Sequence, residues 1–202
     1  MKTYLFGSIL LVTLLTSLNL RAQGSGVVSY TTVGAPFDKR VYLFYTGRAE
    51  DSVALSGTGY QTALYWAPGG TTDDRTMVQI GQAVGFLTGA NAGTFFGGGR
   101  TINGISANGG VVALQSRAWS FVAGIPNTYE AVVASGLPGV NAGKGPVFDM
   151  KLKDPTNPLE TIPNIWQAAG WRAYMIGIPE PSTLALGALG IAALLLLRRK
   201  RC

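Results

Sequence analysis

Any chemistry in this sequence has to come from carboxylates, amines, hydroxyls and aromatic rings, because its 202 residues include no histidine and a single cysteine, Cys202. Without imidazole there is no Ser-His-Asp or Cys-His machinery and no His-ligated metal site. The acidic pairs Glu50-Asp51 and Asp73-Asp74 have the hard oxygens that calcium prefers, but not the alternating spacing of a calcium loop. Glu130, Asp149, Asp154 and Glu160 are the carboxylates from which a glycosidase would draw its acid and base, with no spacing that pairs two of them. Residues 97–99 are three glycines followed by Arg100-Thr101-Ile102, which lacks the Gly-Lys-Ser/Thr of a phosphate loop and reads as a turn or bulge. The aromatic residues are better placed. Trp66, Trp119, Trp166 and Trp171 could stack on sugar rings or build a core. Trp119 shares strand parity with Val111, Ala113 and Phe121 and is assigned to the core. Trp166 and Trp171, in the irregular stretch after Pro158 and Pro163, are the candidates for an exposed carbohydrate-stacking shelf. The expectation is a protein with no catalytic residues, no cofactor and no metal; a glycoside hydrolase is the disfavoured third reading.

The net charge of +6 does not point to nucleic acid once it is located. Lys2, Arg21, Arg198, Arg199, Lys200 and Arg201 sit at the two ends. The span between them is close to neutral, without the basic surplus that neutralising phosphates requires. No nucleic-acid partner is expected.

The ends themselves are addresses. Met1-Lys2 precedes an apolar run over residues 4–20 that closes on Arg21-Ala22, the parts of a secretory signal peptide with cleavage expected after Ala22. At the other end Pro179-Glu180-Pro181 leads into residues 184–197, drawn only from Leu, Ala, Gly and Ile, and then into Arg198-Arg199-Lys200-Arg201. Fourteen residues make a helix of about 21 Å, short of the roughly 30 Å hydrocarbon core. Three features still favour the membrane: no polar face, a terminal position, and four cations that act as a cytoplasmic stop. Pro179 and Pro181 break the helix upstream and set it apart from the preceding domain.

This tripartite tail resembles the PEP-CTERM sorting signal of Gram-negative bacteria, a Pro-Glu-Pro motif followed by a transmembrane run and a basic tail. The resemblance implies an exosortase as processing partner and a transient membrane anchor. It also implies a final location at the cell surface or in the extracellular matrix, often beside exopolysaccharide. The organisation expected is a signal peptide over 1–22, an ectodomain over 25–178 and the sorting signal over 179–202. A structural or matrix role is the first expectation for the ectodomain, and a carbohydrate-binding module that attaches to exopolysaccharide is the alternative.

Between the addresses, short apolar or alternating runs are punctuated by Gly, Pro, Asn and Asp. Strands are expected over 27–33, 40–46, 62–66, 76–80, 111–122, 146–151 and 171–178. Residues 97–104 read as extended and loop-like. Turn signals stand at Pro68-Gly69-Gly70, Asn103-Gly104, Asn108-Gly109-Gly110 and Pro138-Gly139. One short helix is expected over 127–136, with Asn127 as cap, Glu130 completing a capping box and Gly136 as stop. The fold class is therefore mainly β, an antiparallel sandwich or jelly-roll-like ectodomain. The centre also resembles small secreted proteins of bacteria that use such sorting signals, through residues 65–68, 97–105, 111–119 and 128–131. That likeness supports the β class and implies no activity.

Overall fold

A computed structural model describes residues 24–44 and 52–177. In chain order its strands are β1 (Gly24–Thr31), β2 (Val41–Leu43), β3 (Val53–Ala54), β4 (Gly57–Pro68), β5 (Val78–Phe86), β6 (Phe96–Ile105) and β7 (Val111–Ser120). After them come a helix α1 (Tyr129–Ser135) and the strands β8 (Ala142–Lys144), β9 (Phe148–Lys151) and β10 (Tyr174–Ile176). The mainly β class and the single short helix are thus as expected. Thr128, not Asn127, caps the helix, its side chain accepting from the Ala131 N–H, and Gly136 ends it in the left-handed region. Glu130 makes no capping box, because its carboxylate is drawn to the sheet beneath the helix.

β7 sets the architecture. Eight consecutive residues from Val112 to Trp119 are buried, so neither face of this strand meets water. Val112, Leu114 and Ala118 enter the larger core, with Val28, Tyr30, Leu64, Ile102, Leu152 and Trp171. Ala113 and Trp119 point the other way, into a smaller core with Ala63, Tyr65 and Val132 that α1 covers. Trp119 is therefore in a core, as its parity suggested, although Val111 and Phe121 at the two ends of that row are exposed. Burying one indole removes on the order of 200 Å² from water, an upper bound of about 5 kcal/mol.

Two separately stacked sheets are not what the pairing describes. β4 lies between β5 and β7, and β7 pairs on its other edge with β9 near its start and β8 near its end. Gly177 bridges Ala142, which extends this sheet through β8 to β10, and β10 pairs with β2 in parallel. An all-antiparallel pattern is thereby broken, and a second parallel bridge joins Ser29 to Asn164. On the β9 side, Val27 and Lys153 exchange both backbone hydrogen bonds, so β1 follows β9. β1 pairs with β6, and a Phe86–Phe95 bridge brings β6 back to β5. The strands run round the larger core edge to edge, an arrangement that leaves few open strand edges.

β6 is extended and bulged at its glycines, as the sequence reading allows, but it is a regular strand and not loop-like. The glycines at 97–99 are not a loop but the start of a ten-residue strand. A Cβ on Gly97 would lie 2.4 Å from Cδ1 of Tyr30, so glycine is what lets β6 pass over that ring. The register shift opposite Ser29 and Thr31 is the bulge that the glycine run encodes. Asn103-Gly104 likewise makes no hairpin turn. Gly104 takes φ 82° inside β6, at a second register shift opposite Gly24 and Ser25.

A chain of buried hydroxyls ties β1, β4, β7 and β10 together. Thr62 donates to the Arg117 carbonyl at 2.9 Å. Its only proton is then spent, so Tyr30 donates to Thr62 at 2.6 Å, Ser116 donates to Tyr30 at 3.0 Å or to Thr62 at 3.1 Å, and Tyr174 donates to Ser116 at 2.8 Å. One direction satisfies the whole chain. Burial raises the Tyr30 phenol well above its ordinary range and pushes that of Tyr174 up to about 12.

Two predictions follow from this core. Gly97→Ala, forced against Tyr30, should cost about 1–3 kcal/mol in urea unfolding. Gly59→Ala, whose Cβ meets nothing within 4 Å, should leave the midpoint unchanged; equal losses would remove the close-approach account. The raised phenol pKa values make stability complete below pH 10 and lost as pH climbs toward 12, since the unfolded chain releases those protons first. Tyr174→Phe should flatten that alkaline loss, and an alkaline melting curve identical to the parent's would refute the Tyr174 contribution.

Candidate functional site

Pro179, Glu180, Pro181, Arg198, Arg199, Lys200 and Arg201 lie outside the described residues, as do the apolar run 184–197 and the N-terminal residues 1–22. What is described is the platform from which the C-terminal signal leaves. Tyr174 and Ile176 of β10 are buried, fixing the strand between β2 and β8. The Phe44 N–H donates to the Ile176 carbonyl at 2.9 Å. The Ala142 N–H donates to the Gly177 carbonyl at 2.9 Å, and the Gly177 N–H donates back at 3.3 Å. Glu180 follows Gly177 by three residues, a reach of at most about 11 Å in any conformation.

The two tryptophans expected to share an exposed shelf do not. Trp171 is 1% exposed. Its ring meets Phe95, Phe148 and Tyr174 edge-on, and its indole N–H donates to the Lys39 carbonyl at 2.9 Å. The irregular sequence around it is a loop folded over the core, and the indole is the plug that fills it. Trp166, in a single helical turn over Ile165–Gln167, is half-buried against the same core. This pair offers no common stacking face.

A charged cluster on the helix-covered face of the sheet was not foreseen. Arg117, in the middle of β7, has a side chain only 4% exposed. Its Nε donates to Gln115 at 2.8 Å, one terminal nitrogen to Glu130 at 2.6 Å and the other to the Asp74 carbonyl. The guanidinium lies 4.0 Å from the centroid of Tyr65 and 5.4 Å from that of Tyr129. The Tyr65 hydroxyl is 2.9 Å from the second oxygen of Glu130. Lys144 adds a 2.8 Å ion pair to Asp74. Burial, and then the bond to Glu130, raises the Tyr65 phenol, while the Lys144 bond holds the Asp74 carboxyl below its usual range. The available sequence signal was one arginine in an otherwise uncharged strand, at the parity of Trp119. Chemically this is a clamp: it fixes α1 and the turn after β4 onto the sheet.

The other carboxylates weighed for chemistry are held one by one. Asp73 accepts from the Arg75 N–H, Asp149 from the Gly70 N–H, and Asp154 from the Thr156 N–H and hydroxyl. Glu160 accepts from the Asp154 N–H. Glu50 and Asp51 lie outside the described residues. Among the described residues no group of three or more His, Cys, Asp or Glu converges on a metal-sized site.

Glu130→Gln should leave the buried Arg117 charge uncompensated. Because the Glu130 side chain is 57% exposed and water can relieve part of that loss, the cost should fall at the lower end of about 1–3 kcal/mol. Denaturant midpoints equal to those of the parent would show that the clamp does not bear on stability.

The family model described as the PEP-CTERM protein-sorting motif matches residues 177–201, so its match begins at the last described residue. No curated protein matches the chain. No solved structure matches it either. Carried at the end of a β-rich domain, this motif is the mark of exosortase-dependent sorting to the surface of Gram-negative cells, and the chain is a PEP-CTERM motif-containing protein.

Proposed function

We propose that this protein is an exported, non-catalytic component of the cell surface or extracellular matrix. A cleaved signal over 1–22 takes it across the inner membrane, a helix over 184–197 holds it there, and exosortase processes it near Pro179-Glu180-Pro181. The observation that carries this reading is the sorting-motif match over residues 177–201, which follows directly on a β-rich domain. Among the described residues the strands run from β1 at Gly24–Thr31 to β10 at Tyr174–Ile176. The described β domain lies between the two proposed addresses, so a cut near Pro179-Glu180-Pro181 would release a β-rich product. Its buried polar groups support a load-carrying role, since the hydroxyl chain and the Arg117 clamp are bonded inward.

In the native host, Glu180→Ala or deletion of residues 198–201 should leave a larger species in the membrane fraction. Unchanged size and distribution would remove the sorting claim. Normal processing, with the product absent from both surface-labelled and matrix fractions, would remove the proposed destination.

A further inference from the structure

The ring of strands around the larger core is closed by backbone pairing at every junction but one. β5 pairs with β4, β4 with β7, β7 with β9 and β1 with β6, while Val27 and Lys153 join β1 to the chain after β9. Between β5 and β6 the backbone bonds are confined to one end. There the Phe86–Phe95 bridge is joined by a 2.9 Å bond from the Leu87 N–H to the Thr94 carbonyl. Beyond that end no backbone pairing links β5 to β6 among the described residues. A side chain crosses the gap instead. Arg100 of β6 donates from one terminal nitrogen to the Gln82 carbonyl of β5 at 2.9 Å. Its other terminal nitrogen fills the space beside Gly81, where a Cβ would come within 2.6 Å of it. Arg100 is the one charged residue of both strands, and none of the ion pairs among the described residues includes it. Its Nε is buried without a partner. On the β5 side Val78 is 61% exposed, and Ile80 and Val84 are only partly buried against the core.

We propose that Arg100 is a strap that holds this seam shut, and that the domain opens first by parting β5 from β6 about the Phe86–Phe95 bridge. Every other junction parts only when paired backbone bonds break with it. Here, beyond the bridge, one side chain spans the gap. The strap also holds imperfectly: a buried donor with no partner disfavours the closed state, and water can satisfy Nε once the seam opens. Parting the two strands costs β5 none of its bonds to β4 and β6 none of its bonds to β1, so each wall moves as an intact pair. Local openings are drawn from such places, where few bonds cross and apolar cover is thin. The opening exposes the larger core from the side of Ile80 and Ile102, together with two strand edges that carry no other charge to discourage pairing.

The test is native-state thiol labelling of the full chain in detergent micelles, in a Cys202→Ser background with one cysteine introduced at a time. Ile102→Cys and Ile80→Cys report from the two sides of the seam, and Val132→Cys reports from the smaller core under α1. Arg100→Met keeps the apolar stem and removes the guanidinium. It should speed labelling at positions 102 and 80 about tenfold or more, the weight of a hydrogen bond from a charged donor, and leave position 132 at its parent rate. Equal acceleration at all three positions would mean that Arg100 only adds to global stability. No acceleration at 102 and 80 would mean that it holds nothing shut, and either result overturns the strap. Should Arg100→Met not fold, the parent decides alone. Labelling at 102 and 80 that is nearly independent of urea below the unfolding transition supports the seam, whereas labelling there that follows global unfolding overturns it.

Discussion

The burial of β7 on both faces is the constraint from which the rest of this structure follows. A strand in that position cannot leave a polar side chain to water on either face, so each one must be answered from within. Arg117 shows how closely the two answers are linked. Its carbonyl terminates the hydroxyl chain that runs through Thr62, Tyr30, Ser116 and Tyr174 in the larger core. Its guanidinium, on the opposite face, gathers Gln115, Glu130 and the turn at Asp74. One residue thus bonds to both sides of the sheet. The energetic weight lies in completeness: a half-satisfied network would cost more than an apolar core.

The same economy governs the C-terminal end. β10 is short, yet it is inserted between β2 and β8 and buries Tyr174 and Ile176. A cut near Pro179-Glu180-Pro181 falls beyond β10 and leaves its described pairing with β2 in place. Separation from the sorting signal therefore need not loosen the domain.

Much of this fold was legible because its local signals are physical ones. β-branched runs gave β1 and β7, and a cap followed by a glycine stop gave α1. The failures share a cause: long-range contacts decided what local composition left open. Three glycines look like a loop until the Tyr30 ring is placed beneath Gly97, where nothing larger fits. Asn103-Gly104 supplies a left-handed residue, and whether this makes a hairpin or a bulge depends on β1, almost eighty residues earlier in the chain. Trp171 looked exposed because its neighbours form no regular element, but a loop can carry a core residue when its indole N–H finds a carbonyl such as that of Lys39. The Arg117 cluster was hidden for the same reason, its partners being spread over four separate segments. The sorting signal was readable because its parts are contiguous and owe nothing to tertiary packing.

The parallel pairing of β2 with β10 also sets an order in time. One is made near the start of the domain and the other near its end, so while β3 can pair with one edge of Val41–Leu43 early, the other edge must wait for its neighbour until almost everything else has been synthesised. Contacts so distant in sequence are slow to close and are rewarded late. The nascent chain therefore stays open along that seam, and its last ectodomain strand serves as the latch that shuts it.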